Sequence, residues 1–262
     1  MAFVVVSISA LVVSALTLFS GFGLGTLLMP VFAIFFPLEV AVAATAVVHG
    51  ANNVVKVAAF GRRADWRVVT RFALPAIVCA FLGAATLGLL SSVAPLVRYV
   101  LVGHEAVVTP LKLLMAGLMA GFALFELLPG LRGLKFDRRW LPIGGVLSGF
   151  FGGLSGHQGA LRSAFLAKVG LTTEAFVGTN AVTGFLVDAA RLLVYGALFT
   201  TSHAVVVWTQ GGWELVAAPT AAAFAGVLVG SRLVKKVTMR TVQAITGVML
   251  VLIAGAMGAG LI

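Results

Sequence analysis

The sequence predicts an all-α integral membrane protein made of two inverted-topology repeats, each interrupted by glycine-broken half-helices. Of the 262 residues, 61% are hydrophobic and 10% are charged, and the mean hydropathy is +1.13. An average soluble domain is about 45–50% apolar and about 25% charged. Apolar runs recur along the chain, and basic clusters recur at alternate connections between them. Because such a chain has too few polar side chains to cover itself in water, we expect it to lie in a bilayer.

The apolar runs predict about 8–10 membrane segments. They lie at about 3–19, 26–36, 40–60, 71–90, 111–128, 141–154, 159–170, 174–198, 214–231 and 241–262. Since about 20 helical residues span the roughly 30 Å hydrocarbon core, the second, sixth and seventh runs are too short and predict half-helices or tight hairpins. The breaks fall at Gly21–Gly25 and around Gly152–Gly156, where glycine lets the backbone leave helical geometry.

The net charge of +10, from 18 Lys and Arg against 8 Asp and Glu, indicates membrane topology. A soluble protein this basic would suggest a nucleic-acid partner, but the apolar content argues against one. Basic clusters follow the third, fifth and ninth segments, and the positive-inside rule places these connections in the cytoplasm. The four tryptophans fall at segment ends, as interfacial aromatic residues do. We therefore expect a multi-pass protein of the bacterial inner membrane, with both termini extracytoplasmic.

Five passes in each half require the second half to be inverted relative to the first. We expect a first repeat over 1–128, a basic cytoplasmic linker over 129–140 and a second repeat over 141–262. An offset of 135 residues pairs Asn53 with Asp188 and Lys56 with Arg191. Inverted repeats with broken helices are typical of secondary transporters, whose binding site lies near the midplane where the breaks meet. The N-terminal apolar run has no basic residue before it, so we expect it to be retained rather than cleaved.

Three cations fall inside predicted segments: Lys56, Arg162 and Arg191. A charge at bilayer depth costs roughly 2.5–3.5 kcal/mol on insertion scales, so it is a candidate functional residue. Arg162 follows a break, near the beginning of a short helix whose dipole favours an anion; the alternative is that it binds carbonyls freed by the broken helix. Asp188 and Arg191 are spaced to pair on one helix face, either as a neutral structural pair or in coupling. Lys56 either lines the site or extends to the nearby boundary.

These positions form two groups of candidate residues. The candidate substrate-binding residues lie in or beside the breaks or carry amides on the following helices: Gly23, Gly25, Asn52, Gly156, His157, Gln158, Arg162 and Asn180. The candidate coupling residues are His49, Asn53, Lys56, Asp188 and Arg191. Cationic and amide donors predominate, which favours a small anion. No metal-ligand cluster, P-loop or nucleophile motif is present in the sequence, so we expect no metal, no cofactor and no enzymatic activity.

The glycine-rich breaks and the motifs that follow them resemble the TauE/SafE sulfite-exporter family, also called the toluene-sulfonate uptake permease family. The resemblance rests on Gly21–Gly25, Asp65-Trp66-Arg67, Gly149–Ser163, Glu174–Asn180 and Asp188–Arg191. It implies a transporter of sulfite, organic sulfonates or carboxylates across the cytoplasmic membrane, and it assigns the glycines to the family's breaks. The sequence departs from the family pattern through charged and polar residues in its second break and through an apparent insertion at 98–110.

The function predicted first is secondary transport of small anions by alternating access, with export of sulfite or an organosulfonate as the specific expectation. The alternatives are transport of a carboxylate or another inorganic anion, and a non-transporting membrane component. Export of an anion needs no coupling ion under an inside-negative potential. Uptake would need H⁺ or Na⁺, and His49 or Asp188 would then carry the proton. The sequence is also compatible with a homodimer.

Overall fold

The computed structural model describes residues 2–17, 24–101, 103–132, 136–199, 214–233 and 239–262. Within these residues the chain forms eleven α-helices, two 3-10 turns at Gly61–Arg63 and Arg138–Trp140, and one β-hairpin. The helices are α1 Ala2–Thr17, α2 Leu24–Ala33, α3 Leu38–Phe60, α4 Trp66–Ser91, α5 Pro110–Leu127, α6 Pro129–Arg132, α7 Leu141–Ser155, α8 Gly159–Leu166, α9 Thr173–Phe199, α10 Glu214–Leu233 and α11 Met239–Gly258. Each of the ten predicted apolar segments coincides with a helix.

Within the described ranges, four stretches are long and apolar enough to cross a membrane: Leu38–Arg63, Trp66–Ser91, Pro110–Leu127 and Thr173–Ala197. Their mean hydropathy is 1.3 to 2.2 over an 18-residue window. The helices α2, α7 and α8 are too short to span a bilayer, as the sequence predicts. An all-α integral membrane protein is thus confirmed.

Short polar signals begin and end the helices that position the centre of the molecule. Asp65 begins α4 by accepting the backbone N–H groups of Arg67 and Val68 at 3.0 and 3.2 Å, which satisfies donors that a helix leaves free. Thr109 does the same for α5 through Lys112 N at 3.1 Å. Gly156 ends α7 with φ +78°, a left-handed conformation that glycine adopts without steric cost.

The central helices α3 and α9 run antiparallel and approach closely through glycine. A methyl group at Gly178 would collide with the Phe60 carbonyl, one at Gly184 would meet Asn53, and one at Gly50 would meet Asp188. Along these contacts the residue numbers rise on α9 while they fall on α3, so the two helices run in opposite directions. An ion pair between Arg63 and Glu174 joins the same ends.

The helix α7 packs in parallel on α4 along a stripe of small residues. A methyl group at any stripe position would collide with a backbone carbonyl of α4: Gly145 with Phe72, Gly149 with Ala76 and Gly153 with Ala80. Small residues four apart permit backbone contact between helices, which drives their association in lipid. The stripe therefore holds α7 against α4.

The short helices α7 and α8 form a tight hairpin. Ser148 Oγ donates to the Gln158 carbonyl at 3.0 Å, and the Phe165 ring occupies the space beside Gly144. At the base of the hairpin the Lys168 ammonium lies 2.8 Å from Asp137, and this hydrogen-bonded charge lowers the pKa of that carboxyl. The end of α8 thus returns to the side from which α7 begins, and the tip at Gly156–Gln158 lies inside the protein.

The β-hairpin corrects the sequence analysis, which assigned residues 98–110 only as an insertion. Strands β1 Val97–Leu101 and β2 His104–Val108 pair antiparallel, with Val97 opposite Val108. The Tyr99 hydroxyl donates to the Ala259 carbonyl at 2.5 Å, and Val107 N donates to the Gly260 carbonyl at 3.0 Å. The hairpin connects α4 to α5 and rests on the end of the chain.

The helix contacts are related by exchange of the two halves. The main pairs are α4 with α7, α1 with α10, α5 with α11 and α3 with α9. When α1–α5 are exchanged in order with α7–α11, the pair α4 with α7 becomes the pair α10 with α1. The pairs α5 with α11 and α3 with α9 are unchanged by the exchange. An inverted repeat would produce this pattern, and the division into repeats at 1–128 and 141–262 stays a prediction.

Candidate functional site

The tip of the α7–α8 hairpin meets the beginning of α2 near the middle of α3. A methyl group at Gly25 would lie 3.0 Å from the Gly156 carbonyl oxygen and 3.7 Å from His49 Cδ2. His49 lies midway between Leu38 and Phe60, so it is near the centre of a membrane-spanning helix. Two of the predicted glycines, one from each break, are therefore in contact at membrane depth.

Asp188 of α9 lies at the centre of a polar cluster beside this contact. We call Asp188 and its hydrogen-bond partners His49, Asn53, Gln158 and Arg191 the Asp188 hub. The Oδ2 of Asp188 accepts from His49 Nδ1 at 2.6 Å and from Asn53 Nδ2 at 3.0 Å. Its Oδ1 accepts from Gln158 Nε2 at 2.9 Å and from Arg191 Nε and Nη2 at 3.0 and 2.7 Å. The carboxylate thus joins α3, the hairpin tip and α9, and the pair predicted from the i,i+3 spacing of Asp188 and Arg191 is formed.

Arg162 lies beside this hub without a carboxylate of its own. Its Nε donates to Asn180 Oδ1, and its Nη1 donates to Gln158 Oε1 at 2.9 Å. A methyl group at Gly184 would lie 3.1 Å from both terminal nitrogens of Arg162, so glycine is needed there for the guanidinium to approach α9. Arg162 is 1% exposed, and among the described residues no Asp or Glu forms an ion pair with it.

Lys56 adds a second cation near Arg162. Its side chain is half-buried on α3, and the ammonium is close enough for its charge and that of Arg162 to repel each other. Within the described part of the chain, Lys56 forms neither a hydrogen bond nor an ion pair. That Lys56 lines the site stays a prediction.

Arg191 binds a backbone carbonyl at the broken end of a helix, which is the contact that the sequence analysis gave as the alternative for Arg162. Its Nη1 donates to the Gly152 carbonyl at 3.1 Å, just before the second break. Tyr195, one turn further along α9, donates to the Gly153 carbonyl. The broken end of α7 is therefore held by Arg191 and Tyr195, while Arg162 binds side-chain amides.

Two of the predicted residues, His157 and Asn52, make their side-chain contacts away from Asp188. His157 is fully buried, with Nδ1 2.9 Å from the Ser155 carbonyl and its ring stacked on Phe122. Asn52 donates to Ser14 of α1 at 2.7 Å, on another side of α3. Gly23 lies outside the described residues. The substrate-binding or coupling role of every predicted site residue stays a prediction.

Four buried polar atoms have no hydrogen-bond partner among the described residues. They are Asn52 Oδ1, His157 Nε2, Ser163 Oγ and Thr183 Oγ1. Such atoms are costly to bury unless water or a ligand satisfies them. Ser163 and Thr183 belong to α8 and α9, the two helices that carry Arg162 and its partner Asn180.

Sequence reasoning missed several residues that complete the site. They are Ser14, which binds Asn52; Ser148, which binds the hairpin tip; Phe122, which stacks on His157; Tyr195; and the close-contact glycines Gly50 and Gly184. Gly184 could have been found, because the offset of 135 pairs it with His49. The others depend on helix contacts between distant parts of the chain.

The described residues contain no group of three or more His, Cys, Asp or Glu placed to hold a metal ion. The polar cluster around Asp188 and Arg162 consists mainly of amide and guanidinium hydrogen-bond donors and positive charges. A profile of the family described as sulfite exporter TauE/SafE matches residues 6–257 of this chain. The chain belongs to the TauE/SafE sulfite exporter family.

Membership in the TauE/SafE family confirms the resemblance and places the chain among membrane transporters. The match includes both breaks, the α7–α8 hairpin and every residue of the Asp188 hub. No curated protein and no solved structure matches the chain. The roles of individual residues in this TauE/SafE protein therefore rest on the geometry of the site.

Proposed function

We propose that this protein is a secondary transporter of small anions in the bacterial inner membrane, and that it exports sulfite or an organosulfonate by alternating access. The substrate binds where the two breaks meet, between α3, α8 and α9. Both termini are extracytoplasmic in this proposal. Family membership supports the substrate class, and the charges of the site support an anion.

The excess of positive charge in the polar cluster carries this proposal. The cluster contains three cations, Lys56, Arg162 and Arg191, against one carboxylate, Asp188. Because Asp188 accepts two hydrogen bonds from Arg191, Lys56 and Arg162 are left without a neutralising partner among the described residues. Uncompensated charge at this depth is expensive, and a bound anion would offset that cost.

The inverted repeat supports alternating access at the same place. Asn53 and Asp188, which the offset of 135 pairs, are also 3.0 Å apart in space. Residues that an inverted repeat makes equivalent meet where its pseudo-twofold axis passes between two helices. In transporters with such repeats, the site lies at the interface and one part rocks against the other.

The membrane potential is sufficient to drive export. An inside-negative potential favours outward movement of one negative charge by about 2.3 kcal/mol per 100 mV. Export therefore needs no coupling ion for energy. A coupled ion would change the stoichiometry and the response to gradients rather than make export feasible.

The test is a thermal-shift screen of the purified protein against sulfite, sulfate, thiosulfate, methanesulfonate and acetate. A ligand at 100 times its Kd stabilises the folded state by about 2.7 kcal/mol, so a true substrate should raise the Tm by several degrees. Arg162→Ala should remove this shift, since losing one partner of a buried charge contact costs roughly 2–5 kcal/mol. Arg98→Ala, on the exposed β-hairpin, should keep it. A shift with a cation and none with any anion would contradict the proposal.

A further inference from the structure

The contact between His49 and Asp188 bears on whether an ion is transported together with the anion. We propose that His49 binds one proton together with each anion, so that transport is coupled to H⁺. This inference rests on the proposed anion site and extends it by naming the coupled ion and the atom that carries it. The proton passes from water to His49 Nε2 and returns to water on the other side, with no other bond made or broken.

Asp188 fixes which nitrogen of His49 takes the proton. An ionised carboxylate can only accept hydrogen bonds, so the 2.6 Å contact requires Nδ1 of His49 to carry hydrogen. The neutral ring then has its lone pair on Nε2. Among the described residues, Nε2 has no hydrogen-bond partner. The ring is therefore anchored at one nitrogen and available at the other.

His49 is also the member of the hub with the most exposure. Its exposed fraction is 7%, compared with 3% for Asn53, 1% for Gln158 and 0% for Asp188 and Arg191. Protons reach a buried group through whatever surface it keeps accessible. The imidazole is thus the titratable group of the hub that a proton can reach.

The charges around His49 make its protonation depend on the anion. Arg191 on α9 and Arg162 on α8 oppose a further positive charge on His49, and Asp188 favours it. Lys56, about two turns along α3 from His49, is the remaining cation of the cluster. His157 at the hairpin tip is the other imidazole nearby. A bound anion adds negative charge beside the cations, so it must favour protonation, and by reciprocity protonation must favour the anion. This mutual preference leads to movement in the same direction.

Sodium fits the hub less well than a proton does. Na⁺ needs several oxygen ligands, and the oxygens of Asp188 already accept from His49, Asn53, Gln158 and Arg191. A sodium ion at the hub would have to displace these donors and lie among cations. The proton needs only the lone pair of Nε2.

Coupling to one proton is compatible with export. A divalent anion that moves with one proton still carries one negative charge outward, which the membrane potential favours by about 2.3 kcal/mol per 100 mV. A monovalent anion would move without net charge, and the pH and anion gradients would then set the direction.

The experiment uses proteoliposomes with the interior one pH unit more alkaline than the exterior. Equal K⁺ on both sides with valinomycin holds the membrane potential at zero. The probe is labelled methanesulfonate, which stays ionised and does not cross as a neutral acid. With one proton per anion, the wild type should accumulate it about tenfold inside, since one pH unit corresponds to a factor of ten. His49→Gln should carry the probe only to equal concentrations, and His104→Gln, in β2 outside the spans, should accumulate it like the wild type.

The outcomes separate the coupling from the proposed function. Wild-type protein that carries methanesulfonate to equal concentrations overturns the coupling and leaves anion transport in place, and accumulation by His49→Gln overturns the role of His49. If neither methanesulfonate nor sulfite is carried, the proposed function fails. Should His49→Gln not fold, a pH indicator in weakly buffered wild-type protein decides, because anion binding must withdraw up to one proton per protein. No proton uptake there overturns the coupling.

Discussion

Asp188 illustrates how one residue joins the polar interior of this protein. Its two oxygens accept hydrogen bonds from residues of α3, the hairpin tip and α9. Buried carboxylates are tolerated when charge and hydrogen bonds satisfy them fully. The same contacts hold the imidazole of His49 and one amide that also binds Arg162. Structure and the proposed anion site thus depend on the same side chain.

Asp188→Asn should destabilise the folded protein by about 3–5 kcal/mol, because it leaves the Arg191 guanidinium buried without its carboxylate. The substitution keeps the side-chain volume, so the loss reports charge rather than packing. The Tm in detergent measures it. Glu105→Gln is the control, since the pair of Glu105 with Arg98 has side chains more than 60% exposed and such pairs contribute about 0–1 kcal/mol. Equal Tm values for the two variants would contradict this role of Asp188.

The sequence predicts local contacts of single residues but not distant ones. The pair of Asp188 with Arg191 follows from their i,i+3 spacing on one helix. The contact of Asp188 with His49, 139 positions away, depends on how α3 docks against α9. Likewise, nothing in the local sequence shows that Asn52 would bind Ser14 of α1. The membership of the hub therefore had to come from the fold.

Among the elements, the α7–α8 hairpin places the candidate site. Its small-residue stripe fixes α7 on α4, its left-handed Gly156 ends α7, and its second arm carries Arg162 back along α9. Because α7 lies backbone against backbone on α4, the position of the tip is set by residues about one to three helical turns before it.

Gly149→Ala should destabilise the protein by about 2 kcal/mol or more, because the added methyl group would collide with the Ala76 carbonyl and force α7 from α4. Gly121→Ala is the matched control. Nothing lies within 4 Å of a methyl group at Gly121, and alanine favours a helix interior by about 1 kcal/mol over glycine. The Tm and the yield of monodisperse protein should fall for the first variant and hold or rise for the second. A stable Gly149→Ala protein would show that the stripe is not tightly packed.

Hydrophobic runs predict the helices well because the backbone N–H and C=O groups of a segment in lipid must form hydrogen bonds within the segment, and a helix does so. All ten expected segments are helical, and the runs of 26–36, 141–154 and 159–170 correspond to the short α2, α7 and α8. The β-hairpin was missed because Val97–Val108 lies between spans, where hydropathy says little about secondary structure. Its position on Gly260 could not be inferred from either segment alone.

At the scale of the whole molecule, the pattern of basic charge and the helix contacts are both those that an inverted repeat would produce. The net charge of +10 is spread over clusters at alternate connections, and the helix pairs are related by exchange of the halves. Lys56 of α3 and Arg162 of α8, which form no ion pair with a described carboxylate, lie where the antiparallel α3 and α9 meet. The proposed anion site between two inverted halves is the arrangement that alternating access would need.

The most direct test of anion transport is counterflow of labelled sulfite in proteoliposomes. Vesicles loaded with unlabelled sulfite and diluted into a trace of label should take the label up transiently through the wild type. Arg162→Ala, folded as judged by its elution as a single species, should reduce this uptake at least about 30-fold, equivalent to about 2 kcal/mol of lost anion binding. Arg98→Ala should retain it. Uptake by Arg162→Ala at the wild-type rate would contradict the anion site at the meeting point of the two breaks.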